Sequence, residues 1–270
     1  PGGAGRNRVL DRKNFLHLQF IMPPVEEQKK IAKILSAWDQ AIEALDNLIE
    51  IRTRRFKWLL KYLTSPHKAV KGWKEFSLGE MGDISKGKGI TKEDLIETGI
   101  PCIRYADLYM QYDFVIHDIF CFVSSKAASS AQSLQRGDII FAGSGETAEE
   151  IGKCAAYLGD HPKAVVGGDT LILRQKRFDS NYLTYALNSP AVNKQKSIFG
   201  HGHSVVHFYG HDLRKVRVFV PPTNDQTKIA HILNLAKCEI DLLKQIVLRY
   251  GEQKQGLMQK LLTGKIRVKA

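Results

Sequence analysis

Little in this sequence points to a disulfide-stapled, metal-built or membrane-spanning protein. The four cysteines among 270 residues, Cys102, Cys121, Cys154 and Cys238, stand apart, with no Cys-x-x-Cys pair and no histidine at ligand spacing beside any of them. That scatter fits reduced thiols and excludes a zinc or disulfide framework as the organising device. No run approaches the roughly 18 uninterrupted apolar residues of a membrane span, and Pro1-Gly-Gly-Ala-Gly-Arg6 lacks the apolar core of a signal peptide. The chain therefore reads as soluble and cytoplasmic, and Pro1 in place of Met implies that the sequence begins inside a longer product. Acid is scarce as well: 28 Asp and Glu against 40 Lys and Arg leave a formal charge of +12. Such a balance favours a polyanionic partner, nucleic acid before membrane. With 43% hydrophobic and 25% charged residues the composition lies in the globular range, and the length allows one large domain or two smaller ones.

What the chain does contain is a long-period repeat. Phe20-Ile-Met-Pro-Pro-Val-Glu-Glu-Gln-Lys-Lys-Ile-Ala-Lys-Ile-Leu35 aligns with Val218-Phe-Val-Pro-Pro-Thr-Asn-Asp-Gln-Thr-Lys-Ile-Ala-His-Ile-Leu233 at a constant offset of 198 residues. That period is too long for a solenoid and implies a duplicated unit of one domain plus one helix. After each Pro-Pro the apolar residues alternate steps of four and three, which is a heptad seam. In the first copy the seam runs through Ile31, Leu35, Trp38, Ile42, Leu45, Ile49, Arg52, Phe56, Leu59 and Leu63. In the second it runs through Ile229, Leu233, Ala236, Ile240, Leu243, Val247, Tyr250, Lys254, Leu257 and Leu261. Thr223 with Gln226 has the spacing of a capping box at the second start, and Pro66 and Gly264 are the expected stops. A helix from Val25 to Thr64 would span roughly 60 Å. Two such seams can bury each other as an antiparallel pair, with Ile42 and Leu45 facing the seam that holds Ile240 and Leu243; a homodimerising coiled coil is the alternative. The segment from Lys68 to Arg217 has short apolar runs such as Asp138-Ile-Ile-Phe-Ala142 and Thr170-Leu-Ile-Leu-Arg174 between Gly-rich turns, and Asn181-Tyr-Leu-Thr-Tyr-Ala-Leu-Asn188 reads as a short helix stopped near Pro190. The expected class is α+β.

The repeated Pro-Pro-x-x-x-Gln-x-x-Ile-x-x-Ile-Leu start is where the sequence resembles the specificity subunits of type I restriction–modification systems. Further matches are Gly72-Trp-Lys-Glu-Phe-Ser-Leu-Gly79, Ile100-Pro-Cys-Ile-Arg-Tyr-Ala-Asp-Leu108, Arg136-Gly-Asp-Ile-Ile-Phe141 and a Gly-rich loop leading to Asp212-Leu213. The resemblance implies a globular target-recognition domain of mixed strands and helices plus two long helices forming an antiparallel coiled-coil spacer. It divides the chain into residues 1–22, the tail of a preceding recognition domain otherwise missing; 23–65, a central conserved helix; 66–217, a complete target-recognition domain; and 218–270, a C-terminal conserved helix. It implies sequence-specific binding of double-stranded DNA, reading half of a bipartite site, and assembly with methyltransferase and restriction subunits, with pairing to a second copy through the helices. S-adenosylmethionine, ATP and magnesium are then expected on those partners, with no cofactor and no catalysis here.

Three loops combine small residues with hydrogen-bonding groups as DNA contact requires: Lys86-Gly-Lys-Gly89, Ala142-Gly-Ser-Gly-Glu-Thr147 and Gly200-His-Gly-His-Ser204. Gly lets backbone approach phosphates, Lys and Ser bind them, and Glu or His reaches base edges. The candidate DNA-binding set is Lys86, Lys88, Lys92, Arg104, Tyr105, Ser144, Glu146, Thr147, Lys153, His201, His203 and Ser204. For any one of them a solvated turn is an equal reading, and for Arg104 an ion pair with Asp107 is. Gly143-Ser-Gly145 is no P-loop, because no Gly-Lys-Ser/Thr follows. His201, His203, His207 and His211 sit at short polar spacing without a metal-site pattern, so no metal is expected. Asp138, Glu150 and Lys153 resemble a nuclease cluster out of step by one residue, and the methyltransferase Asn-Pro-Pro-aromatic motif is absent. The rival readings are a free-standing DNA nuclease and a coiled-coil interaction protein without a nucleic-acid role.

Overall fold

The computed structural model describes residues 22–66, 71–202 and 205–268. His203 and Ser204, and all but Met22 of the expected leading tail, lie outside these. The chain forms an α+β structure with two compact units: one holds the residues up to Arg52 and from Glu239 onward, the other Thr53–Cys238. The expected recognition domain, 66–217, falls inside the second unit, which also takes in the last turns of the first long helix and the first turns of the second.

The two long helices are Val25–Leu63 and Thr223–Leu262. Both begin in the same way, for a reason built into the repeated motif. Gln28 Nε2 donates to the Pro23 carbonyl (2.7 Å) and Gln226 Nε2 to the Pro221 carbonyl (2.9 Å). Each glutamine thus satisfies a carbonyl that the proline-rich entry leaves without an amide donor. Gln226 does not complete a capping box with Thr223: its Oε1 accepts instead from the Asp179 N–H (2.9 Å), tying the helix start to the globular unit. Gly264, at φ +71°, ends the second helix in the left-handed conformation that glycine adopts without strain.

In the first unit the two helices run antiparallel. Glu27 pairs with Arg267, Trp38 packs edge-on against Tyr250 (5.3 Å), Asp39 pairs with Lys254, and Arg52 pairs with Glu239 (2.8 Å). Partner numbers fall along the second helix as they rise along the first. This register sets Ile42 and Leu45 level with Val247 and Tyr250, whereas Ile240 and Leu243 lie level with Ile49 and Arg52. A heptad pattern repeats every seven residues, so it fixes the facing sides without fixing their offset. Ile31, Ile240 and Leu261 are buried, and Leu35, Trp38, Ile42, Leu45, Ile49, Leu243 and Val247 are half-buried. Ile51, Leu242, Ile246 and Leu248 remain exposed.

The globular unit holds two five-stranded sheets. The first runs in the order Asp83–Lys86, Thr170–Arg174, Ile139–Ala142, Cys154–Tyr157, Val115–Ile116; the second Leu95–Ile96, Cys121–Val123, Ile100–Ile103, Val165–Val166, Gln132–Ser133. Side chains alternate across the second sheet: Cys102 and Val165 turn to a small cluster with Ile90 and Val123, while Ile103 and Val166 join Ile140, Ala155, Tyr157 and Ile172 of the first sheet in one core. The run Ile139–Ala142 is buried throughout, as a central strand covered on both faces must be. Lys74–Ser77 pairs antiparallel with Arg217–Val220, which closes the globular segment where the chain enters and leaves it.

The helix expected near Asn181 spans Ser180–Leu187, capped by Asp179. It stops just short of Pro190, as expected. That proline is the first residue of a second helix, Pro190–Ile198, where its missing N–H is harmless and Ser189 provides the cap. Leu233 and Ile229 of the second long helix are buried in this unit, where Asn234 accepts from the Tyr185 hydroxyl (2.7 Å) and Lys237 pairs with Asp113 (2.7 Å).

Candidate nucleic-acid interface

Three pieces of backbone far apart in sequence meet at one place on the globular unit. The first is the end of strand Asp83–Lys86. Gly87 donates to the Thr170 carbonyl (3.0 Å), and a Cβ at this position would lie 1.9 Å from the Gly167 carbonyl oxygen. Only glycine permits that approach, and it leaves Lys86 and Lys88 exposed on either side. Lys86 Nζ lies 3.9 Å from Asp169 Oδ1. Asp169 has φ 56°, a left-handed conformation that aspartate tolerates better than most residues.

The second piece is the loop from Gly143 to Lys153, and the third is the short strand Val206–His207. Gly143 donates to the Asp169 carbonyl (2.7 Å) and accepts from the Phe208 N–H (2.8 Å). Val206–His207 pairs antiparallel with Ser144–Gly145, setting His207 opposite Ser144, with Ser144 Oγ 3.0 Å from His207 Nδ1. Lys86, Asp169, His207, Tyr209 and Arg214 line a cleft of about 360 Å³. A second groove of about 660 Å³ is lined by Tyr105, Tyr109, Met110, Glu146, Glu150 and Val205. An ammonium, a guanidinium, an imidazole, phenols and carboxylates thus line these two depressions, the set that contacts phosphates and the amino and carbonyl edges of bases.

The histidines are organised by a carboxylate. Buried Asp212 accepts from Lys215 Nζ (2.9 Å) and lies 3.2 Å from His201 Nε2 and 3.0 Å from His211 Nε2. Burial pushes its carboxyl up, but the bonds to Lys215 and His201 and the charges of His211 and Lys215 outweigh this and hold it below the ordinary carboxylate value. The Tyr209 ring lies 5.7 Å from those of His201 and His211, which makes an aromatic shelf at the cleft. Among the described residues, no three His, Cys, Asp or Glu side chains are placed to share a metal ion.

The structure sorts the sequence candidates. Lys86, Lys88, Glu146, Thr147 and His201 are exposed on the converging segments, and Tyr105 is on the rim of the second groove. Ser144, expected as a contact residue, is instead buried, its hydroxyl held 3.0 Å from His207 Nδ1, so it braces the paired strands rather than facing DNA. Arg104 is committed elsewhere: its guanidinium bonds both oxygens of buried Asp107, through Nε (3.3 Å) and Nη2 (2.8 Å), and these bonds raise its hold on its proton further. It braces the helix Tyr105–Met110 that carries Tyr105. Lys153 is directed to Asp113 (3.6 Å), and Lys92 is exposed in the turn before Leu95. Asp138, the first carboxylate of the nuclease reading, is buried, and both its oxygens accept from Arg174, which makes it a structural ion pair. Tyr209, Arg214 and Asp169 were not singled out from the sequence. The Gly167-Gly-Asp169 turn signal was there, but nothing local announces that this turn meets residue 86.

The family of type I restriction modification DNA specificity domains matches residues 2–53 and 70–247 of this sequence. The chain belongs to that family. It is 25% identical over 277 residues to the type I restriction enzyme MjaVIII specificity subunit of Methanocaldococcus jannaschii, covering 96% of this chain and 65% of that protein. It is 26% identical over 284 residues to a putative type I restriction enzyme MjaX specificity subunit of the same organism, covering 96% and 62%. Its fold resembles the HsdS subunit from Thermoanaerobacter tengcongensis (17% identity, TM-score 0.56, 91% of this chain and 60% of that one). It also resembles the type I restriction–modification S subunit from M. genitalium (19% identity, TM-score 0.59, 88% and 61%). The type I specificity-domain chain thus spans less than two-thirds of the length of each of these relatives. Within the described residues, no helix is long and apolar enough to cross a membrane.

Proposed function

We propose that this chain is a DNA-recognition subunit, without catalysis of its own, of a cytoplasmic type I restriction–modification complex. Its globular unit reads half of a bipartite site in double-stranded DNA. The observation that carries this reading is the pairing of Ser144–Gly145 with Val206–His207, which joins the loop from Gly143 to the strand leading to Tyr209 beside Lys86, one surface with the chemistry of DNA contact. Family membership and the +12 charge support it. The antiparallel helices set the spacing, and their exposed Ile51, Leu242, Ile246 and Leu248 offer apolar surface to methyltransferase and restriction subunits or a second copy. S-adenosylmethionine, ATP and magnesium then act on the partners.

Titration of duplex DNA at several salt concentrations tests the reading. The logarithm of the affinity should fall linearly with the logarithm of salt, by about 0.9 per phosphate neutralised, and the purified chain should neither cut nor methylate the duplex. A salt-independent affinity, or turnover that follows the purified chain, would overturn it.

A further inference from the structure

We propose that Lys196, enclosed behind the DNA-reading surface, is a positioning residue that fixes the path of the loop from Gly143 to Gly152 against Phe208; the inference rests on the DNA-recognition reading above. Lys196 lies on the helix Pro190–Ile198 and is 0% exposed. Its ammonium donates to the Gly152 carbonyl at 2.6 Å, and among the described residues no carboxylate pairs with it. Gly152 has φ +70°, and a Cβ there would lie 3.0 Å from Lys196 Cδ and 3.2 Å from the Phe208 ring. The lysine stem and the aromatic ring therefore press on the same glycine.

Gly143 and Gly152 bracket the loop that presents Glu146 and Thr147. Phe208 stands between His207 and Tyr209 and donates its N–H to the Gly143 carbonyl (2.8 Å). Lys196 thus bonds the end of this loop at Gly152, the same glycine that Phe208 flanks from the strand Val206–His207. A leucine or methionine would fill the same space without the cost of burying a charge. What the ammonium alone supplies is a strong donor to the Gly152 carbonyl from the inside.

The position leaves a signature in pH. Burial holds the Lys196 ammonium below the ordinary lysine range, at about 8. The titratable group facing it is Cys154, whose thiol burial pushes up to about 11, so Cys154 is neutral where Lys196 titrates. The unfolded chain binds more protons than the folded one between about 8 and the ordinary lysine value of about 10.4. Stability therefore rises with pH across that window, while the bond to Gly152 weakens.

The test compares wild type with Lys196→Met, using a duplex selected by the wild-type chain and a random duplex. Lys196→Met should lower the selected-to-random affinity ratio by about tenfold, the scale of one lost charge-assisted hydrogen bond. Binding to the random duplex and its salt slope should not change, because the exposed lysines remain. In wild type the ratio should fall between pH 7.5 and 9 while the melting temperature gains relative to the variant, whose ratio stays flat. A folded Lys196→Met with the wild-type ratio overturns the proposal. If the variant does not fold, the wild-type profile decides, and a ratio constant across that range overturns it. A wild-type chain without preference for any duplex would instead strike at the DNA-recognition reading.

Discussion

Asp138→Ala should destabilise the globular unit by about 2 to 4 kcal/mol, somewhat less than the roughly 3 to 5 kcal/mol of a fully buried ion pair, because the Arg174 side chain is 29% exposed. Asp138 is 1% exposed and stands at the head of the central strand Ile139–Ala142. Its oxygens accept from Arg174 Nε (2.9 Å), Arg174 Nη2 (2.6 Å) and the Gln135 N–H (2.8 Å). Arg174 Nη2 also donates to the Ser133 carbonyl (3.0 Å), and Ser133 belongs to the second sheet, so one carboxylate stabilises a link between the two sheets. Truncation leaves a half-buried guanidinium with a single acceptor and a central strand without its anchor. Asp138→Asn keeps the shape and one good acceptor and should lose about half as much. Urea denaturation reads both: the midpoint should fall with little change of slope. A loss under about 1 kcal/mol for the alanine variant would mean that the pair is incidental to the fold, and it would reopen a catalytic role for Asp138.

Replacing Lys86 and Lys88 together by glutamine should weaken binding to any duplex about 50- to 100-fold at 0.1 M salt and reduce the salt slope by about 2. The two lysines flank Gly87, whose position against the Gly167 carbonyl holds the turn rigid, so the ammonium groups are presented from fixed backbone. Both side chains are exposed, and Lys86 has only a long contact of 3.9 Å to Asp169, so neither is needed for folding. The loss should be uniform across sequences because phosphate contacts carry affinity without base preference. Unchanged slope in a folded double variant would remove this loop from the interface.

The sequence made the helices legible because their signals are local and repeated. The heptads named the buried stripes, and the duplicated Pro-Pro-x-x-x-Gln named both starts; that Gln28 and Gln226 bond the proline carbonyls required the coordinates. The strands Ile139–Ala142 and Thr170–Arg174 were visible as apolar runs. The site was only half legible. Lys86 and Glu146 announced themselves by their glycine neighbours, but the pairing that brings their segments together involves two strands of two residues each, with partners 61 and 63 positions apart and no apolar run to mark either. For Arg104 the pair with Asp107, three residues on, was already one of two readings and the structure decides for it; Lys153 looks like a contact residue until Asp113 is located, and Lys196 reads as one more surface lysine until its helix turns it inward.

Selection of binding duplexes from a random pool, run in parallel on the wild type, Glu146→Ala and His207→Ala, tests most directly whether the paired loops read DNA sequence. The wild type should enrich one short contiguous motif. Each variant should bind with its preference relaxed at one or two neighbouring positions, by about 1 to 3 kcal/mol per lost base contact, and the two sets of positions should adjoin within that motif. Enrichment of no motif, or of the same motif at undiminished stringency by both variants, would contradict the account.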